Sequence, residues 1–354
     1  MGRQYQLHHW GIGLFLVFQT SCTTTRYLIQ ATHGQFALMN RARPINEVLK
    51  DEKTSPRIRN FLKEVPRIKQ ASEDFGLKPT SNYRDYVQLD RDSANYVVSA
   101  SEPLRFKPMI WSFPIVGSFS YLGWFSLEDA KSFAEDIKKD FPEWDVSIRG
   151  AGAYSTLGWF TDPILSTMFS QGEYAMGDLV NVVFHESVHA TLYMNDQSYF
   201  NESIASFAAD HMTPQYLSRR YGQDSKEFTS YQKQQKKRQM IKNQLYEAYR
   251  SLEALYSSSK NDEEKKEEKL NILEQLKNKL KSKKSYNNAS LIQYRTYGVG
   301  MDSFEKLFDT CQKKWKNFWR AMHSLKESSF EKKQMEDFKS VIHPYIMNGC
   351  QKIK

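Results

Sequence analysis

The stretch Asp178-Leu179-Val180-Asn181-Val182-Val183-Phe184-His185-Glu186-Ser187-Val188-His189-Ala190-Thr191-Leu192-Tyr193-Met194 organises the chain. After Asn195-Asp196-Gln197 it continues as Ser198-Tyr199-Phe200-Asn201-Glu202-Ser203-Ile204-Ala205-Ser206-Phe207-Ala208-Ala209-Asp210. Leu179, Val182, Val183, Val188 and Leu192 recur at helical spacing and predict a buried helix, with Asp178 after Gly177 as its N-cap. Inside lies His185-Glu186-Ser187-Val188-His189, an HExxH pattern. Residues four apart lie one above the other on a helix, so His185 and His189 can place two imidazole nitrogens on one metal ion. Glu186 falls about 100° round the helix, where it reaches a water beside the metal without being a ligand. A catalytic zinc site needs a third ligand and an open position. Glu202 supplies that ligand from a second helix, after a turn at Met194-Asn195-Asp196, and the small Ala205 and Ser206 let the two helices approach. Asp196, Asp210 and His211 are alternative third ligands. A reading without metal makes both histidines ordinary residues at the edge of a core.

The remaining sequence frames this helix pair. With 354 residues, 40% hydrophobic and 14% aromatic, the chain can build a sizeable core and is not a disordered segment. Helices are predicted over Thr25–Asn40, after Pro44, and from Ser55-Pro56 to about Phe75, where Gly76 stops the last of them. Strand-like runs follow at Tyr83–Leu89 and Asn95–Ala100, two more between Met109 and Phe125, and one at Asp145–Arg149. Between them Ser126 caps an amphipathic helix through Phe141. The C-terminal part, with Phe308, Trp315, Phe318, Trp319 and Phe338, reads as helices around an aromatic core.

Met1 to Ser21 reads as a secretion signal, with an apolar Trp10–Phe18 too short to span a bilayer. Gln19-Thr20-Ser21-Cys22 resembles a lipobox, so Cys22 is expected to be acylated and to anchor the chain to a membrane. Thr23 in the next place favours the bacterial outer membrane, facing the periplasm. Cys311 and Cys350 are then free to pair in an oxidising compartment or to stay apart.

Most of the net charge of +9 lies between Lys226 and Lys284, where 16 Lys/Arg stand against 9 Asp/Glu. Ile241, Leu245, Tyr249, Leu252 and Tyr256 mark one apolar helix face, and Leu270, Leu273, Leu276 and Leu280 another. The pattern predicts a long antiparallel helical hairpin with solvated sides. Acids interleave with bases and no nucleic-acid motif occurs, so nucleic acid is not expected as a partner. A contact with an anionic membrane surface remains a reading of the basic face.

His-Glu-x-x-His followed by Asn201-Glu202-x-x-Ala205 resembles the gluzincin metallopeptidases. More closely, the chain resembles the bacterial predicted zinc aminopeptidase lipoproteins, the Aminopep family. The likeness is carried by Gln30-Ala31 and Gly34-Gln35, Arg43-Pro44-Ile45, Tyr83-Arg84-x-Tyr86-Val87 and Phe113-Pro114-x-Val116-Gly117. It continues in Ala153-Tyr154-Ser155-Thr156-Leu157-Gly158-Trp159-Phe160, Asp162-Pro163, Asn287-Asn288-Ala289 and Thr296-Tyr297. The resemblance implies an α+β, zincin-like fold with a mixed or antiparallel sheet, an HExxH helix and a large helical part. It implies one Zn²⁺ per chain on His185, His189 and Glu202, with Glu186 as general base. Ala153, Tyr154 and Ser155 are expected on an edge strand that pairs with substrate, or on an interior strand with Tyr154 buried. Asn201 is expected to support the ligands or that strand. Tyr297, and second Tyr294, are candidate donors to the oxyanion. Where relatives carry cysteines flanking the Phe-Pro-x-x-Gly segment this chain has Ser112 and Ser118, so no disulfide is expected there. The organisation expected is a signal over 1–21, a helical segment over 22–80, a catalytic core over 81–221, the charged hairpin over 222–286 and a C-terminal part over 287–354. The activity implied is removal of N-terminal residues from peptides. Internal cleavage and a non-catalytic zinc-binding scaffold are the alternatives, and no signal marks an oligomeric state.

Overall fold

Serine at the start of a helix and glycine at its end delimit the first well-packed element. A computed structural model describes residues 10–113, 117–153, 161–294 and 300–350, with side chains from residue 25 onward. Helix α1 runs unbroken over Trp10–Arg41, so the helix expected from Thr25 begins earlier, within the segment read as a signal. Cys22 lies on α1, and its side chain is outside the described residues. Among the described residues no helix is long and apolar enough to cross a membrane. A short strand β1 (Arg43–Pro44) leads into α2 (Ile45–Lys50). In α3 (Pro56–Asp74), Ser55 accepts the Ile58 amide at 3.3 Å and Pro56 fills the first turn. Gly76 follows at φ +88°, a left-handed conformation that a side chain resists.

The strands form three small sheets instead of one. β2 (Asp85–Val87) lies between β1, antiparallel, and β8 (Ile164–Leu165), parallel. It is shorter than the run Tyr83–Leu89 suggested. Tyr83 sits at φ +64°, and the Leu89 amide turns aside to the Ser166 hydroxyl at 2.9 Å. β3 (Asn95–Ser101) is the centre of the second sheet, between β6 (Leu122–Trp124) and β7 (Asp145–Ala151), all antiparallel. β4 (Trp111–Phe113) and β5 (Gly117–Phe119) make a separate ribbon in which Ser112 faces Ser118. Their hydroxyls meet at 2.9 Å, a hydrogen bond at the two places where a cysteine pair was not expected.

Strand alternation gives the second sheet two different faces. Val98, Ala100, Leu122 and Trp124 pack under α4 (Leu127–Asp140), against Ala130, Phe133 and Ile137. Ser126 caps α4 as expected, accepting the Asp129 amide at 3.2 Å. Val97, Ser99, Ser147 and Arg149 occupy the opposite face and look into a cleft.

The main core surrounds α5 (Ala175–Thr191) and α6 (Ser198–Tyr221). Around them lie α3, α10 (Met301–Thr310), α11 (Trp315–Met322) and α12 (Lys339–Met347). Phe200, Phe207, Phe304, Phe318 and Phe338 are fully buried here, each stabilising the fold by roughly 1.5–3 kcal/mol. Cys311 and Cys350 form a disulfide that ties the end of α10 to the segment after α12.

The charged region folds as the pair α7 (Lys226–Tyr256) and α8 (Asp262–Lys279), turned by an Asn261–Glu264 capping box. Leu245, Tyr249, Leu252, Leu273 and Leu276 are buried between them. Leu270 departs from the expected stripe, being 67% exposed. Lys269 takes the inward position instead, because its ammonium reaches Asp145 at 2.6 Å and the Pro103 carbonyl at 2.8 Å. That contact docks α8 on the end of β7. The short α9 (Asn288–Leu291) covers the same end, where Asn287 donates to the Val146 carbonyl at 2.9 Å.

Candidate metal centre and cleft

Helix α5 is held by burial, not by propensity. Leu179, Val180, Val183, Phe184 and Val188 are all fully buried, which outweighs the weak helix preference of its valines. The helix begins at Ala175, one turn before Asp178, so Asp178 is not its N-cap. Asp178 is instead buried against α7. Arg238 donates to both its oxygens at 2.7 Å, and Ser170 donates to one of them. Gly177 allows this approach, since a β-carbon there would lie 2.3 Å from the Tyr231 ring. One turn on, Asn181 donates to Asp210 of α6 at 3.0 Å and to Tyr231 of α7 at 3.1 Å.

The turn from α5 to α6 brings Glu202 back to the histidines. Asn201 is buried and grips Met194 twice, its oxygen accepting the amide at 2.9 Å and its nitrogen donating to the carbonyl at 2.8 Å. Asp196 takes a positive φ of 57°, and its carbonyl accepts from the Gln334 amide at 2.7 Å. Asn201 thus shapes the turn; its hydrogen bonds to Met194 run neither to the ligand atoms nor to a strand.

His185 Nε2 and His189 Nε2 stand 3.2 Å apart. Glu202 Oε2 is 3.3 Å from the first, and Glu202 Oε1 is 3.6 Å from the second. Ligands about 2.0–2.1 Å from a tetrahedral zinc are separated by about 3.3–3.4 Å, so the three atoms fit the corners of such a site. The donor chemistry fits as well. Two imidazole lone pairs and a carboxylate this close repel one another unless a proton or a cation lies among them. The Nδ1 of His189 is buried with no hydrogen-bond partner among the described residues. Among those residues, these three form the one His/Cys/Asp/Glu group with metal-ligand spacing.

Burial pushes the His189 imidazole down to about 4, reinforced by His185, so it stays neutral and able to ligate. Burial acts the same way on His185, but the hydrogen bond and charge of Glu202 prevail and raise it. Burial would raise the Glu202 carboxyl; the two histidines and Arg149 overcome that and hold it down to about 2. Protein surrounds Glu202 on most sides, yet 56% of its side-chain surface is open to the cleft. Glu186, next along α5, raises the buried hydroxyl of Tyr83, after burial itself.

The cleft measures about 1260 Å³ and lies between the β3–β7 face and α6 and α7. β7 is the edge strand of its sheet. α9 covers its start, and its outer side from Ser147 onward has no further strand among the described residues. Ala153, two residues beyond β7, is half-buried against the main core. Tyr154, Ser155 and Tyr297 lie outside the described residues. Tyr294 lines the cleft.

Three residues escaped the reading of the sequence, Tyr121 and Arg149 lining the cleft and Tyr193 against His189. Tyr193 stacks edge-on against His189 with ring centres 6.3 Å apart, and its hydroxyl is raised by burial and by Glu202. Tyr121, in the turn between β5 and β6, is raised by the same two causes. Arg149 acts on Glu202 from β7. Only Tyr193 carried a signal, lying four residues after His189. The other two reach the site from a turn and a strand distant in sequence.

A mixed α+β protein with small sheets, an edge strand and a two-histidine, one-glutamate cluster is thereby defined. The chain belongs to the family whose model, described as "Putative aminopeptidase", matches residues 26–336. No curated protein and no solved structure matches it.

Proposed function

We propose that the chain is a zinc-dependent peptidase of zincin-like, gluzincin type that removes N-terminal residues from peptides. The observation that carries this reading is the convergence of three ligand atoms at 3.2, 3.3 and 3.6 Å beside Glu186 on one helix. Family membership supports peptide hydrolysis independently. His185, His189 and Glu202 would hold the ion. Zinc bound there supplies Lewis-acid chemistry, polarising a carbonyl and acidifying a water. Glu186 accepts the proton of the attacking water and returns it to the departing amine. Tyr193, whose ring stacks edge-on against His189, and Tyr121, which lines the cleft, are the described candidates to donate to a developing oxyanion, beside Tyr297, the donor expected from the sequence. The peptide backbone adds along the open edge of β7. An acylated Cys22 would hold the enzyme at the cell envelope, facing the periplasm.

Cleavage inside a chain is the second reading, favoured by a cleft of about 1260 Å³ with Glu202 in its wall. The test uses full-length protein in detergent, zinc-loaded, with peptides carrying free or acetylated N-termini and products read by mass spectrometry. Single-residue losses from free peptides alone are expected. Glu186→Gln is expected to retain about one zinc per chain while losing roughly 10²–10⁴-fold in rate. Internal cuts in both peptide sets select the second reading, and full activity in Glu186→Gln refutes the mechanism.

A further inference from the structure

The cleft face of β7 carries Asp145, Ser147 and Arg149, while Val146 and Ile148 point into the layer under α4. Asp145 is fully engaged by the Lys269 ammonium and the Asn288 amide. Arg149 lies at the other end of the strand, paired in register with Val97, and both line the cleft. It is exposed, and its side chain makes no hydrogen bond or ion pair with another described residue. Its charge nevertheless acts on Glu202 of α6, on Tyr121 before β6, and on Tyr294 after α9. The same cleft is lined by Arg149, Tyr121, Glu202 and Tyr294, so the guanidinium shares the groove with the candidate ligand.

The balance of charge around it points the same way. Lys284 and Lys339 also line the cleft and form no ion pair among the described residues. Of the acids there, Asp210 is held by Asn181 and Gln235, and Glu202 belongs to the metal cluster. With Glu202 given to the metal cluster, the carboxylates Asp210 and Asp302 face four cations that line the cleft, Arg149, Lys242, Lys284 and Lys339.

We propose that Arg149 anchors a carboxylate of the bound peptide, so that the site selects peptides with negative charge close to the cleaved bond. A guanidinium matches a carboxylate with two parallel hydrogen bonds, which a lysine cannot reproduce. The same charge repels a free α-amine, so the N-terminus of the peptide points away from Arg149. The carboxylate is either the C-terminus of a short peptide or an Asp or Glu side chain. This inference rests on the peptidase reading above and names the substrate class of that site.

The test uses the full-length, zinc-loaded protein and matched peptides. One pair differs only in a C-terminal carboxylate or carboxamide; other pairs carry Glu or Gln at successive positions. Wild type is expected to favour the charged member of one pair by roughly tenfold in kcat/KM. The pair concerned tells which carboxylate is read. Arg149→Ala should reduce that preference to near unity, mainly through KM, and Arg149→Lys should keep part of it. A preference that survives Arg149→Ala, or an equal loss on both members of each pair, overturns the proposal. A second readout is anisotropy of the same peptides, fluorescently labelled, on the metal-free protein. Charge-dependent binding that Arg149→Ala removes supports the anchor even without hydrolysis, and then only the peptidase reading fails. Hydrolysis without any charge preference overturns the anchor alone.

Discussion

Arg238 meets Asp178 through two parallel hydrogen bonds of 2.7 Å, fastening the middle of α7 to the first turn of the helix that carries both histidines. The basic hairpin is therefore part of the scaffold of the site as well as a solvated arm. Asn181, Asp210, Tyr231 and Gln235 continue the link one turn further along α5.

Arg238→Ala leaves a carboxylate that is 8% exposed without its countercharge. Breaking such a pair from one side costs several kcal/mol, reduced here because Arg238 is itself 34% exposed. The expected loss is about 2–3 kcal/mol, measured as a lower urea midpoint of the metal-free protein. Arg238→Lys should recover only part, since one ammonium cannot make both bonds. Asp178→Asn combined with Arg238→Ala should be less destabilised than Arg238→Ala alone.

Tyr193→Phe removes a hydroxyl that Asn201 and Glu202 act on, while leaving the ring contact with His189. If that hydroxyl stabilises the oxyanion, kcat falls roughly ten- to a hundredfold with KM and zinc content close to wild type. Tyr121→Phe, measured in parallel, separates the contributions of the two tyrosines. An unchanged kcat in both variants assigns the oxyanion donor to another residue.

Glu64 on α3 accepts from Arg220 on α6 at 3.1 and 3.0 Å. Burial opposes its ionisation, but Arg220 and Arg67 prevail and its folded pKa lies below 4.5. A depressed carboxyl contributes stability that is fully present above its unfolded pKa and is lost as pH falls through the folded value. Glu64→Gln should therefore cost about 1–2 kcal/mol at pH 7. The difference from wild type should shrink below pH 4.5 and vanish once Glu64 is protonated in both states. Urea titrations of the two proteins at several pH values measure it, and a gap independent of pH would refute the assignment.

Legibility differed between levels for physical reasons. The helices with caps, such as Ser55 before α3 and Ser126 before α4, could be read locally because a hydroxyl and the following amides settle them. The hairpin could be read from its apolar spacing, except at Leu270, displaced by Lys269, and at Ile241, which is exposed. The run Tyr83–Leu89 was read too long and the strands as one sheet, while those expected at Asn95–Ala100 and Asp145–Arg149 formed and extend to Ser101 and Ala151, because pairing is decided by partners distant in the chain. Tyr83 at a positive φ cuts β2 short for reasons no local pattern shows. Asp178 looked like a cap because its role, a partner on α7, lies sixty residues away.

By itself the sequence determined the spacing of His185, Glu186 and His189, because helix geometry converts a four-residue interval into one shared face. It also indicated Glu202, because a polar turn and small residues allow a second helix to return. Tertiary structure alone decided that Glu202 comes within 3.3 and 3.6 Å of the two histidines, through Asn201 gripping Met194. It alone brought Tyr121 and Arg149 to the cleft and paired Cys311 with Cys350. These are long-range contacts, set by how the buried faces of separate elements pack, and no local run of residues specifies them.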